Sequence, residues 1–180
     1  TFFIHGNMRL AKNDMNHDGF LDNPLGEQIN VLNRWQYQDL EKGIVSFLNV
    51  RYMNDEKQAG EVDFNPRTDK GTTNFWGSEI NTQKVDVSGK LGYVFPDMPF
   101  QSIGVQMAYS YHNQNSYFGL NKYDIKQNSL YGNVIFNSII NNTMNKFSTG
   151  INFTSDDYNE FLFQNTLVDW SRKDNSVGAF

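Results

Sequence analysis

Apolar and polar residues alternate along much of this chain with a period of two, the repeat of an extended strand whose successive side chains point to opposite faces. Between Gln101 and His112 the pattern is cleanest: Ile103, Val105, Met107, Tyr109 and Tyr111 point one way, and Ser102, Gly104, Gln106, Ala108, Ser110 and His112 the other. The preceding strand sets Val85, Val87, Leu91 and Tyr93 against Lys84, Asp86, Ser88 and Lys90. Residues 144 to 154 set Phe147, Thr149, Ile151 and Phe153 against Ser148, Gly150, Asn152 and Thr154. Weaker alternation gathers Ile29, Val31, Trp35 and Tyr37 with Asn33, and Leu130 with Val134 and Phe136. The pattern predicts strands over 1 to 10, 28 to 39, 44 to 57, 80 to 94, 101 to 112, 123 to 139 and 144 to 154, with the start of an eighth near the C-terminal end.

These strands are long. A strand in a soluble domain averages about 5 to 6 residues, whereas a tilted membrane-spanning strand needs about 9 to 11. The connections at 11-27, 58-79, 113-122 and 155-176 read as long, and those at 40-43, 95-100 and 140-143 as tight. Long loops on one side and short turns on the other are the plan of an outer-membrane β-barrel. Charges at mid-strand fit that plan, because Lys84, Asp86 and Lys90 would face a wet lumen while the other face meets lipid. Aromatics fall at two heights on the apolar face, with Tyr52, Tyr109 and Tyr111 near the loop side and Trp35, Tyr37, Tyr93 and Phe95 near the turn side. The fold class expected is therefore all-β, an antiparallel transmembrane meander. An odd strand count with open ends marks residues 1 to 180 as a piece of a larger barrel. At about 25 residues per strand, a barrel of about 22 strands would run to roughly 550 residues.

Composition changes this picture little. No run approaches the roughly 20 apolar residues of a transmembrane helix, a test that barrels escape because lumen residues dilute lipid-facing ones. The chain has no cysteine, and no signal peptide is recognisable at its start. A net charge of -5 with scattered basic residues offers no stripe for a nucleic-acid backbone. No helical period or internal repeat beyond the hairpin emerges.

One motif carries chemistry. Asp14-Met15-Asn16-His17-Asp18-Gly19-Phe20-Leu21-Asp22 follows the first nine positions of a calcium loop. Hard Ca²⁺ takes six to eight oxygens, and this spacing offers the side chains of Asp14, Asn16, Asp18 and Asp22 and the Phe20 carbonyl, with Gly19 at the sharp turn. The usual bidentate Glu is replaced by Leu25, so Glu27 or another loop would have to complete the shell. The alternative is a solvated Asx-turn loop. A bound ion would stiffen the loop and lower the ordering cost of ligand capture.

Other signals are weaker. His5, His17 and His112 have no metal spacing, and the adjacent pairs Asp55-Glu56 and Asp156-Asp157 would point to opposite faces of an extended chain. No nucleophile elbow, zinc-protease helix motif or phosphate loop is present, so no enzymatic activity is expected. Asn141-Asn142-Thr143 and Asn152-Phe153-Thr154 match the glycosylation sequon, a motif frequent by chance. Exposed loop aromatics concentrate binding energy, which makes Phe75, Trp76, Tyr117 and Phe118 the candidate substrate contacts, with Phe64 beside them. The alternative is that these rings fold back as a small satellite core.

The run from Asn13 to Pro24, followed by Leu32-Asn33-Arg34-Trp35-Gln36-Tyr37, resembles the barrel of TonB-dependent outer-membrane receptors of Bacteroidetes type, which are similar to siderophore and cobalamin receptors. The resemblance covers essentially the whole chain. It implies a barrel of about 22 strands, plugged by an N-terminal domain that lies outside this chain and is driven by TonB. It also implies a scarce metal chelate as cargo, structural calcium at Asp14, Asn16, Asp18 and Asp22, outer-membrane lipid around the barrel, and a surface lipoprotein as a further partner. A passive porin-like barrel and a soluble calcium-dependent glycan-binding β-sandwich are the rival readings.

Overall fold

A computed structural model describes all 180 residues. The chain forms one sheet of eight strands, each hydrogen-bonded to its sequence neighbours: β1 (Phe2–Arg9), β2 (Leu25–Asp39), β3 (Ile44–Gly60), β4 (Gly77–Val94), β5 (Ser102–Phe118), β6 (Asn121–Ile140), β7 (Asn142–Gln164) and β8 (Thr166–Ala179). Every pairing is antiparallel, and there is no helix. β1 pairs only with β2 and β8 only with β7, so the sheet is not closed on itself.

The antiparallel meander expected from the alternation is present, but two connections read as long are not loops. β5 runs on to Phe118 and β6 restarts at Asn121, so 113-122 is mostly strand around a tight turn. Likewise 155-176 is the upper end of the β7–β8 hairpin, turning at Asn165. The turns are short because Gly119, Asn141 and Asn165 sit at φ of 59°, 66° and 62°, the left-handed region that Gly and Asn reach at least cost. Strict alternation of long and short connections thus holds only for the first half of the sheet. Its two long loops are residues 10–24 and 61–76.

The register places side chains in continuous rows across the strands. On one face, Val31, Tyr52, Val85 and Tyr111 form a row. Below it run Val50, Val87, Tyr109 and Leu130, then Trp35, Leu48, Met107, Phe153 and Val177, and then Tyr37, Leu91, Val105, Val134 and Ile151. Ile44, Tyr93, Ile103 and Phe136 close this apolar belt at the turn side, where Asp39 is the first charge. Above it the same face changes character at once: Asn54, Gln83, Asn113 and Lys126 make the next row, and Glu27, Glu56, Asn81, Asn115 and Asp124 the one after. Side-chain chemistry therefore defines a height as well as a face.

The opposite face is mostly polar at belt height, with Leu32, Phe47, Tyr131 and Ile135 among its apolar members. Arg51, Asp86, Ser110, Ser129 and Asp156 share a row. The Ser110 hydroxyl donates to Asp86 at 2.6 Å, Ser129 donates to Asp156, and Lys84 lies 3.5 Å from Asp86. Arg51 donates to the Asn30 amide oxygen at 3.0 Å, and Asn49 to Ser88 at 3.2 Å. Such a network belongs beside water, because charges moved into an apolar layer would lose far more solvation than these contacts return.

Only sequence-adjacent strands touch, so no second layer packs on either face. Met107 in the middle of the belt is 58% exposed and Ile151 60%, and the only buried apolar side chains in the chain are Phe64 and Tyr117. The sheet is a single layer, mostly apolar on one side and mostly polar on the other.

Candidate functional site

The functional candidates gather at the end of the sheet carrying the two long loops. In the first, Asx turns fix the backbone around the acidic run. Asp14 accepts from the N–H groups of Asp18 at 3.2 Å and Gly19 at 3.0 Å, and Asp18 accepts from the Phe20 N–H at 2.8 Å. Asn16 donates to the Asp18 carboxylate at 2.9 Å, and His17 and Gly19 take positive φ. Asp22 closes the loop by accepting from the Met15 N–H at 2.8 Å, while its own N–H reaches the Asn13 carbonyl.

These donors are all oxygen, the ligand set of a hard divalent cation. Each carboxylate oxygen has two lone pairs, so accepting one backbone N–H leaves capacity for an ion. Asp14, Asn16 and Asp18 are drawn together, whereas Asp22 is held on Met15 and no three acidic groups close on one point. The residues thus fit calcium in donor chemistry, although Asp22 is turned to the Met15 N–H instead of to the other three. None of His5, His17 and His112 belongs to a metal-binding group: His5 and His112 stand on the polar face of β1 and β5, and His17 occupies the loop turn.

The first loop is stapled to the second. Phe20 forms a bridge with Glu61, Leu21 donates to the Gly60 carbonyl at 2.9 Å, Val62 donates to the Gly19 carbonyl at 2.9 Å, and Lys12 reaches the Val62 carbonyl. Glu61 in turn accepts from the Trp76 N–H at 2.7 Å, and the Phe20 and Trp76 rings lie 6.4 Å apart. The acidic turn and Trp76 therefore belong to one hydrogen-bonded unit.

The four aromatic candidates do not converge. Tyr117 and Phe118 are consecutive strand residues and point to opposite faces. Tyr117 lies on the face that carries the apolar belt, but well above it, and is only 5% exposed beneath Phe64 and the Lys70 ammonium, which sits 4.3 Å from its ring centroid. Gly77 makes this possible, since a Cβ there would run into the Phe64 ring. Burial, with the cross-strand Glu79 carboxylate as a second cause, holds the Tyr117 phenol above the usual tyrosine range. Phe118 and Trp76 are exposed, and Phe75 is half-buried in the second loop.

Two features escape a reading of the sequence. The first is charge: Arg9, Arg34, Arg51, Lys57, Lys84, Lys90, Lys146 and Arg172 on the polar face outnumber Asp55, Asp86, Asp156, Glu160 and Asp174, in a chain whose net charge is -5. The second is an aromatic patch on that face of the β6–β8 extension, built around Tyr123, Tyr158 and Trp170. Reading 155-176 as loop hides it, because only strand alternation sends these rings to one side. Asp156 and Asp157, by contrast, stand on opposite faces as adjacent strand residues must.

No family model, curated protein or solved structure matches this chain.

Proposed function

We propose that this sheet is a sector of the β-barrel of an outer-membrane active-transport receptor, which captures a scarce metal chelate such as cobalamin or a ferric siderophore at its outer loops. The observation that carries this reading is the apolar belt. It runs at one height from β2 to β6, narrows on β7 and β8 where Asp157, Lys173, Ser155 and Asn175 take its upper rows, and is backed at the same height by Arg51, Lys84, Asp86 and Asp156 on the other face. From Tyr52 to Ile44 the belt covers about 27 Å along the strand, or about 20 Å at a tilt of about 40°, close to the roughly 25 Å apolar band of outer-membrane barrels. Its upper edge carries Tyr52, Tyr109 and Tyr111. Its lower edge carries Tyr37, the Tyr93–Phe95 pair at 5.0 Å and the Phe136–Phe147 pair at 6.0 Å, with Trp35 at mid-belt. Amphipathic rings favour the two membrane interfaces.

Open edges support a larger barrel, since β1 and β8 each leave backbone groups unpaired that further strands would satisfy. A barrel of about 22 strands with an internal plug, coupled to TonB through a region of the protein outside this chain, meets that need and supplies the energy for import. No covalent chemistry is asked of the residues. A soluble sandwich would need its apolar face covered by a second sheet, and no segment of this chain packs on it.

Calcium, when bound, supplies a fixed positive centre that holds the first loop in one shape. Asp14, Asn16, Asp18, the Phe20 carbonyl and Asp22 would hold it, and the staple to Glu61 and Trp76 passes that order to the second loop. Excess positive charge on the polar face favours an anionic chelate entering the passage.

Isothermal titration of the full-length receptor in detergent with cobalamin and with ferric siderophores, each with calcium and with chelator, tests the reading. Tight binding of one chelate that weakens without calcium is expected. No binding to any of them in the presence of calcium would overturn the assignment of cargo.

A further inference from the structure

The two long loops are tied to the sheet at one place. Every hydrogen bond that leaves the first loop ends on Gly60 or Val62: Leu21 donates to the Gly60 carbonyl, the Gly19 carbonyl accepts from Val62, and Lys12 reaches the Val62 carbonyl. The acidic turn therefore sits where residues 60–62 sit. Gly60–Gly77 is the last pair of the β3–β4 ladder, and beyond it Glu61 and Trp76 exchange bonds of 2.9 and 2.7 Å. Ladder ends of this kind fray, because water replaces their hydrogen bonds at little cost.

What closes this end is a contact on the outside of the wall. The Phe64 N–H donates to the Glu61 carbonyl at 3.1 Å, and the Phe64 ring lies 6.4 Å from the Tyr117 ring, in the space that a Cβ on Gly77 would take. Gly77, Glu79 and Tyr117 share the face that carries the belt, so the second loop docks on that face, above the belt. Asp69, itself buried, accepts from the Asn65 N–H at 2.8 Å and donates its own N–H to the Asn65 carbonyl at 2.9 Å. That turn brings Lys70 back to the Tyr117 ring, at 4.3 Å from its centroid, and to Glu79 at 3.9 Å. Phe64 and Tyr117 are the only buried apolar side chains in the chain, so theirs is the one restraint on the loops that water does not replace.

We infer that Phe64 and Tyr117 are positioning residues for the capture loops: their contact clamps the end of β3 and β4 and, through residues 60–62, holds the acidic turn of the first loop in its folded shape. That this shape serves capture rests on the transport reading, whereas the coupling between the two loops does not.

Hydrogen exchange of the full-length protein in detergent, read on residues 10–24 and 61–76, tests the coupling without calcium or chelate. Phe64→Ala should speed exchange about fivefold or more in both segments. The effect on residues 10–24, which share no hydrogen bond with Phe64, is the one that a purely local packing role would not produce. Phe64→Leu, which keeps an apolar side chain over Tyr117, should restore most of the protection, and Arg67→Ala, at an exposed position of the same loop, should change neither segment. Gly77→Ala displaces the Phe64 ring without removing it and should reproduce the loss, which keeps the test open if Phe64→Ala does not assemble. Faster exchange confined to residues 61–76, or no change in either segment, overturns the inference. Failure of both variants to assemble would place the contact in the stability of the barrel instead of in the loops, and overturns it as well. Chelate binding by the parent without this coupling would sink the inference alone, and coupling without chelate binding would sink the cargo reading alone.

Discussion

The lower and upper halves of this sheet are built from the same strands, yet they obey different rules. At belt height one face is mostly apolar from β2 to β6, broken by Asn33, Ser46 and Asn128, and the other face is mostly charged and hydrogen-bonded, so a residue's neighbours largely follow from its parity. In the upper half both faces are mixed: Asn113 and Asn115 flank Gln114 and Ser116, and Phe161 and Phe163 flank Leu162. The apolar face ends between Val85 and Gln83, which is where the lipid layer of the proposed barrel would end.

The strongest way to break the comparison is to move a charge across the sheet. Val87→Lys puts an ammonium into the belt and should cost about 2 to 4 kcal/mol near the midplane, with loss of assembled protein in outer-membrane fractions and in folding titrations into lipid vesicles. Ser88→Lys, one residue on, faces the polar side and should assemble as the parent does. Equal damage from both would remove the two-sided reading of β4.

Next in size is the packing that holds the upper loop. Phe64→Ala deletes one of the two buried apolar side chains, and its local cost should fall below the roughly 3 to 5 kcal/mol of a Phe lost from a full core. Limited proteolysis should then cut residues 61–76 faster while the belt remains protected. Global unfolding of the barrel in this variant would show that the two halves are not separate.

A smaller effect is expected at the acidic loop. Chelator should lower chelate affinity about tenfold, or about 1.4 kcal/mol, and Asp14→Asn with Asp18→Asn should abolish that calcium dependence in the same titration. Calcium dependence that survives the double substitution would place the ion elsewhere.

The smallest concerns pH. Tyr117 titrates above the ordinary tyrosine value of 10 because its folded environment favours the neutral phenol. Its contribution is complete below that value and is lost as pH rises towards the folded pKa. Trp76 fluorescence, reporting the loop, should change above about pH 10 before the belt responds.

Most of the lower half is legible in the sequence, since one face there is apolar and the other polar, and Ile103 to Tyr111 carry that parity without exception. Strand ends in the upper half are not, because polar residues on both faces there remove the parity signal. That is why 113-122 and 155-176 read as loops and why Trp170 and Tyr158 do not stand out. The acidic turn is visible from Asp14, Asn16, Asp18 and Gly19 alone, whereas its staple to Glu61 and Trp76 depends on register between distant segments. Tyr117 illustrates the same limit: its neighbourhood with Phe118 in sequence suggests a shared site, and strand geometry sends the two rings to opposite faces.

The central claim is that one face of this sheet meets lipid and the other water. Because the chain has no cysteine, single cysteines at positions 84 to 91 of the full-length protein, made free of any other cysteine and reconstituted in bilayers, can be spin-labelled without background. Accessibility to oxygen should then peak at 85, 87 and 91, and accessibility to a water-soluble nickel complex at 84, 86 and 88. Water access at both sets, or the absence of a two-residue period, would contradict the account.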